Sequence, residues 1–216
     1  MLPLLYKEWL VLRTSWLVSV TGLFAILFLS SRQSLLPAAV ILALTLLMSS
    51  TYVDDKNTGH LFLNSLPTTR KTIVYGKYIA SILHGTSLII AADLIQWGFS
   101  RFTGPLWDVN AAGAIFAFVW IAALYFPLYY WLGQRFVQYG LVIALIAFIT
   151  LGPFVYHWGE RHRWWGLVDA LAPLMKMLGS VLGTPLGFSA LIAVPTAFIV
   201  RISATLSLRL YERKTF

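Results

Sequence analysis

Apolar residues fill this chain in six long blocks, at 16–29, 35–53, 72–99, 110–132, 137–156 and 186–208, with polar residues gathered in the gaps. A helix rises about 1.5 Å per residue, so roughly 20 mostly apolar residues cross a hydrocarbon layer of about 30 Å. The pattern predicts an all-α polytopic membrane protein, one transmembrane domain over 1–216 with about six transmembrane helices. Ahead of the first block, Leu4, Leu5, Trp9 and Leu12 recur at helical spacing while Lys7, Glu8 and Arg13 lie off that stripe. Residues 1–13 therefore read as an amphipathic interfacial helix, the alternative being an extension of the first crossing. No small-residue cleavage site follows a short apolar core, so the first crossing is expected to remain in the protein.

The gap at 54–71, DDKNTGHLFLNSLPTTRK, concentrates charge, helix breakers and amphipathic spacing. Pro67 biases Leu66 away from helix, so one helix should end before it and another start near Thr68 or Thr69. Between the breaks, Leu61, Phe62, Leu63 and Leu66 give a short helix an apolar side. Asp54, Asp55, Lys56 and Asn57 flank it on one edge, Asn64 and Ser65 interrupt it, and Arg70 and Lys71 close it. Such a piece is shaped to plug a groove on a soluble partner. An ordinary cytoplasmic loop would need the basic residues but neither the two aspartates nor Phe62.

The gap at 157–187 is too long for a turn and too apolar for a solvated loop. Trp164, Trp165, Leu171, Leu174 and Leu178 are interrupted by Pro173, Gly179 and Gly183. This predicts an extracellular re-entrant helical hairpin; a further crossing would have to place Asp169, Pro173 and Lys176 at its middle. Elsewhere Asp108 or Asn110 can cap the fourth crossing, and Thr184 before Pro185 is a start signal for the sixth.

Composition supports the membrane assignment, since 59% of the 216 residues are hydrophobic and 11% charged, against about 25% charged in soluble domains. Charge then orients the chain. With the N-terminus in the cytoplasm, Arg32, Arg101, Arg161, Arg163 and Lys176 fall outside and the other eleven of sixteen Lys and Arg residues inside. Basic residues favour cytoplasmic loops, so both termini are expected inside the cell membrane. The net charge of +8 is thereby explained without a nucleic-acid partner. The chain contains no cysteine, which excludes disulfides and thiolate chemistry.

Polar residues within the blocks are candidates for a translocation path: His84, Asp93 and Gln96 in the third, with Asp93 alternatively reaching the outer headgroups. His84 has no second ligand at helical spacing, so no metal site is expected. Nor does catalysis find support, since the four histidines are scattered and no G-x-S-x-G turn occurs. A G-x-x-x-x-G-K-[ST] phosphate loop is also missing, Gly76-Lys77-Tyr78 being the nearest fragment. Any ATP and Mg must then be held by another chain, and this chain binds no cofactor of its own.

Three blocks resemble the short permeases of type-2 ABC exporters. Asp54, Asp55, Lys56 and Asn57 followed by Asn64, Ser65, Leu66, Pro67, Arg70, Lys71 and Lys77-Tyr78 are similar to that family's loop after the second crossing. Tyr125-Phe126-Pro127 through Gly133-Gln134-Arg135 is similar to its turn from the fourth to the fifth, and Ile202-Ser203 through Lys214 to its ending. The resemblance implies a permease paired with a second copy or a relative and with two cytoplasmic ATPase subunits, the loop helix at 54–71 being the coupling element. It also implies export, of amphipathic or antimicrobial peptides or hydrophobic compounds. An ATP-independent carrier or a membrane scaffold is the competing reading; neither needs a coupling helix.

Overall fold

The computed structural model describes residues 2–29, 35–56, 69–99, 109–161 and 185–213, and all of these except Leu35, Thr69 and Gly133 lie in six α-helices. They are α1 (Leu2–Leu29), α2 (Leu36–Lys56), α3 (Arg70–Phe99), α4 (Val109–Leu132), α5 (Gln134–Arg161) and α6 (Pro185–Arg213). By length and composition α2, α3, α4 and α6 can cross a membrane, and α1 carries a shorter apolar stretch, Leu12–Ile26. Four described helices thus meet that test where the apolar blocks anticipated six.

Local chemistry accounts for several boundaries. The Thr72 amide donates to Thr69 Oγ1 at 3.2 Å, so Thr69 is the N-cap that starts α3. At the start of α2, the Leu35 amide donates to Gln96 Oε1 from the far end of α3 at 2.8 Å, satisfying a donor that a helix start leaves free. Gly133 separates α4 from α5 with φ +87°, a conformation that a side chain strains and glycine adopts freely. Pro185 opens α6 at the first helical position, where its missing amide hydrogen is no loss.

In a bilayer the lipid is as apolar as the side chains, so helices associate through close packing and interhelical hydrogen bonds. Small residues supply the closeness. Ala39, Ala43, Ala92, Ala111 and Ala122 are fully buried between helices, beside Leu23, Leu88 and Phe118. At Gly85 a single methyl would lie 2.0 Å from Cζ of Phe118, so α3 and α4 meet where only glycine fits. α4 packs most extensively along α6, α2 along α3, and α1 lies across both α2 and α3, while α5 touches α4 and, less, α2.

Three expected boundaries change. α1 runs without interruption from Leu2 past Arg13, so residues 2–13 are the first turns of a longer helix that continues into the first apolar stretch. Within it Trp9 is 46% exposed, whereas Glu8 is 5% exposed and shares the buried face with Leu12, Ser19 and Leu23. Of the proposed hairpin at 157–187, residues 157–161 belong to α5 and 185–187 to α6, and the remainder lies outside the described residues. Of the loop at 54–71, residues 54–56 end α2 and Arg70 and Lys71 begin α3; residues 57–68, with Asn57, Leu61, Phe62, Leu63, Asn64, Ser65, Leu66 and Pro67, lie outside the described residues.

Candidate functional site

Three helices each carry a charged residue on the buried stripe at the end of the bundle where the polar loop begins and ends. On α1 the stripe is Glu8, Leu12, Ser19 and Leu23; on α2 it runs Ala43, Leu47, Ser50 and Asp54; on α3 it runs Val74, Lys77, Ser81, Gly85 and Leu88. Spacings of three, four and seven keep each set on one face of its helix. The buried faces therefore converge with Glu8, Asp54 and Lys77 opposed.

Their geometry forms one network. Lys77 Nζ donates to a carboxylate oxygen of Asp54, to Glu8 Oε1 at 3.3 Å and to the Ser50 carbonyl at 3.2 Å. Lys7 Nζ donates to the other Asp54 oxygen at 2.5 Å and to Glu8 Oε1 at 3.3 Å. Ser50 Oγ donates to Glu8 Oε2 at 2.9 Å. Two ammoniums and two carboxylates sum to zero charge, which is the condition under which buried ions persist. The side chains of Lys77, Glu8 and Asp54 are 6%, 6% and 4% exposed, whereas Lys7 is 29% exposed and closes the cluster toward solvent. Burial pushes the Lys7 ammonium pKa down, but the charges of Asp54 and Glu8 and the hydrogen bonds to them outweigh it, and it lies above the ordinary lysine value. Lys7 thus stays charged and paired throughout the physiological range.

The cluster ties together the two roots of the loop, since Asp54 lies two residues before the end of α2 and Lys77 seven after the start of α3. Further polar contacts extend the tie. Arg70 Nη1 donates to the Glu212 carbonyl at 3.1 Å, and its guanidinium lies 6.0 Å from the Tyr211 ring centre, joining the start of α3 to the end of α6. Tyr78, beside Lys77, is hydrogen-bonded to Ser203 at 2.6 Å and Ser207 at 2.8 Å on α6, and Ser203 donates to the Ala123 carbonyl of α4. Thr51 on α2 is hydrogen-bonded to Tyr125 on α4 at 2.7 Å, and Tyr125 donates to Gln134 of α5 at 3.4 Å. All six helices are reached within a few residues of the loop.

Among the residues singled out from sequence, Asp55, Lys56, Arg70 and Lys71 are exposed around the loop. Asp54 is instead buried, its carboxylate turned into the bundle. Gln96 caps α2, as above. His84 Nδ1–H donates to the Ala80 carbonyl at 2.6 Å, and its ring stacks on Trp9 with centroids 5.8 Å apart and planes 15° apart. Asp93 is half-buried and makes an interaction of its own. Among the described residues no group of three His, Cys, Asp or Glu comes together as a metal site requires. Sequence reasoning missed Glu8 and left Lys77 as a loop charge. The available signal was register, because Lys77 stands three after Val74 and four before Ser81 on an apolar stripe, where an unpaired ammonium would be costly.

A search of the curated proteins and a search of the solved structures return no match. The family model described as ABC-2 family transporter protein matches residues 3–212, nearly the whole chain, and takes in every residue of the ionic cluster and of the loop. A membrane component of this kind leaves ATP hydrolysis to a partner ATPase. The chain belongs to the ABC-2 family of transporter proteins, as a multi-pass permease component of an ABC transporter.

Proposed function

We propose that this permease serves an ATP-driven exporter of amphipathic or antimicrobial peptides or other hydrophobic compounds. It works with a second permease and two cytoplasmic ATPase subunits, which bind ATP and Mg. In this reading the chain crosses the membrane six times with both termini in the cytoplasm, an extracellular hairpin covers 162–184, and residues 57–68 carry the coupling helix. The observation that carries the proposal is the ionic cluster joining both roots of the loop to α1. A load that reaches the roots of the loop is shared among the helices, because α1, α2 and α3 are bonded at that point and α6 is bonded to α3 through Arg70 and Tyr78. Two packings of the bundle, biased by contact with the ATPase in one nucleotide state and not the other, are what alternating access requires. The exposed apolar surface of α5, with Phe136, Tyr139, Ile143 and Phe154, suits a lipid-soluble cargo or a second permease better than a sugar or an ion.

Affinity isolation of the tagged chain from native membranes tests the assignment. A stoichiometric ATPase should accompany it, and Leu66→Asp should abolish the association while leaving membrane insertion intact. Isolation without any ATPase, together with proton-driven uptake by the reconstituted chain, would replace export with the carrier reading.

A further inference from the structure

α6 carries arginines that the coupling network does not use. Arg201, Arg209 and Arg213 fall at spacings of eight and four, so they follow one side of the helix, and all three are exposed. Among the described residues no carboxylate pairs with any of them. Two adjoining grooves run along this side. The first, about 310 Å³, is lined by Phe198, Arg201, Ile202, Thr205, Leu206 and Arg209. The second, about 300 Å³, lies between α4 and α6, where Pro127, Leu128 and Trp131 face Arg209 and Arg213. Arg209 and Leu206 line both.

Position in the span makes this arrangement unusual. The sixth apolar block ends at Leu208, so Arg201 stands seven residues inside it, about 10 Å along the axis. An extended arginine side chain snorkels over most of that distance toward the cytoplasmic interface, and a charge held at the edge of the hydrocarbon normally has a partner. Among the described residues no carboxylate supplies the counter-charge. The geometry points to a bound anionic phospholipid: its phosphate lies between Arg201 and Arg209, and an acyl chain lies along Phe198, Ile202 and Leu206. Guanidinium matches phosphate oxygens two at a time. Trp131, 66% exposed beside Arg209 and Arg213, belongs at the level of the headgroups. The chemistry fits a lipid and not a free phosphate because most of the lining of both grooves is apolar. The inference depends on the membrane crossing of α6 and is independent of the cargo and of the ATPase.

The full chain, reconstituted in nanodiscs of equal phosphatidylglycerol and phosphatidylethanolamine, gives the test, with native mass spectrometry reading the lipids that remain bound. Phosphatidylglycerol should be retained preferentially, and Arg201→Gln and Arg209→Gln should each reduce that preference, by about fivefold per arginine removed. Arg135→Gln, which removes an exposed arginine outside the grooves, should leave it unchanged, and tryptophan fluorescence melts confirm that the variants fold. Equal retention of both lipids by the wild type would overturn the site, as would an effect of Arg135→Gln as large as that of Arg209→Gln. Displacement by sn-glycerol 1-phosphate at the concentration of the lipid would show that phosphate alone is recognised and would overturn the lipid assignment.

Discussion

Replacing Asp54 with Asn is the sharpest perturbation of the ionic cluster. Asn preserves the size of the side chain but changes the cluster from neutral to a net charge of plus one, leaving Lys7 and Lys77 to share Glu8. Removing one partner of a buried ion pair costs about 3–5 kcal/mol. The value here belongs near the lower limit, about 3 kcal/mol, because Lys7 is partly exposed and recovers water while Lys77 does not. For a chain of 150–250 residues each kcal/mol lowers Tm by about 2–4 °C, so Asp54→Asn should melt roughly 6–12 °C below wild type. The nine tryptophans give the fluorescence signal for the melt, whereas thiol-reactive dyes have nothing to label in a chain without cysteine. Asp54→Leu/Lys77→Met removes both charges, keeps the Lys7–Glu8 pair and should recover to within about 1 kcal/mol of wild type. A single variant melting within about 2 °C of wild type, or a double variant no better than the single one, would refute the claim that these charges are buried and mutually dependent.

Other variants probe independent parts of the account. Gly85→Ala drives a methyl into the buried Phe118 ring and should cost about 1–3 kcal/mol; adding Phe118→Leu should return part of the lost Tm. Gly133→Ala places a side chain at φ +87° and should cost about 1 kcal/mol or slightly more, read in the same melt, with no effect on ATPase association. Phe62→Ala should weaken co-purification of the ATPase without lowering the Tm of the isolated permease, because its side chain is assigned to the partner; equal loss of both would place Phe62 inside the fold.

The helices were legible in the sequence because each is a local feature. Apolar blocks of crossing length, the Thr184-Pro185 start signal and a helix start near Thr69 are all read from neighbouring residues, and apart from the start of α1 the observed ends fall within about five residues of the expected ones. The ionic cluster was less legible, since it joins residues 23, 47 and 69 apart in sequence. Glu8 looked like one solvated charge among several on an N-terminal segment. Its burial depends on Lys77, whose own burial depends on the packing of α3 against α1 and α2. The same reasoning explains why Asp54 moved from the face of the loop to the interior: as the last residue of the Ser50 stripe, it follows the core side of α2. Gln96 was read as polar within a crossing, and its actual task, capping α2, follows from where that helix starts in space.

Transport by the co-reconstituted permease and ATPase tests the coupling most directly. In inside-out vesicles a fluorescent amphipathic peptide should accumulate only with hydrolysable ATP and Mg, and Leu66→Asp should abolish accumulation while the chain remains inserted. Accumulation driven by a proton gradient without ATP, or undiminished ATP-driven accumulation by Leu66→Asp, would contradict force transmission through the loop.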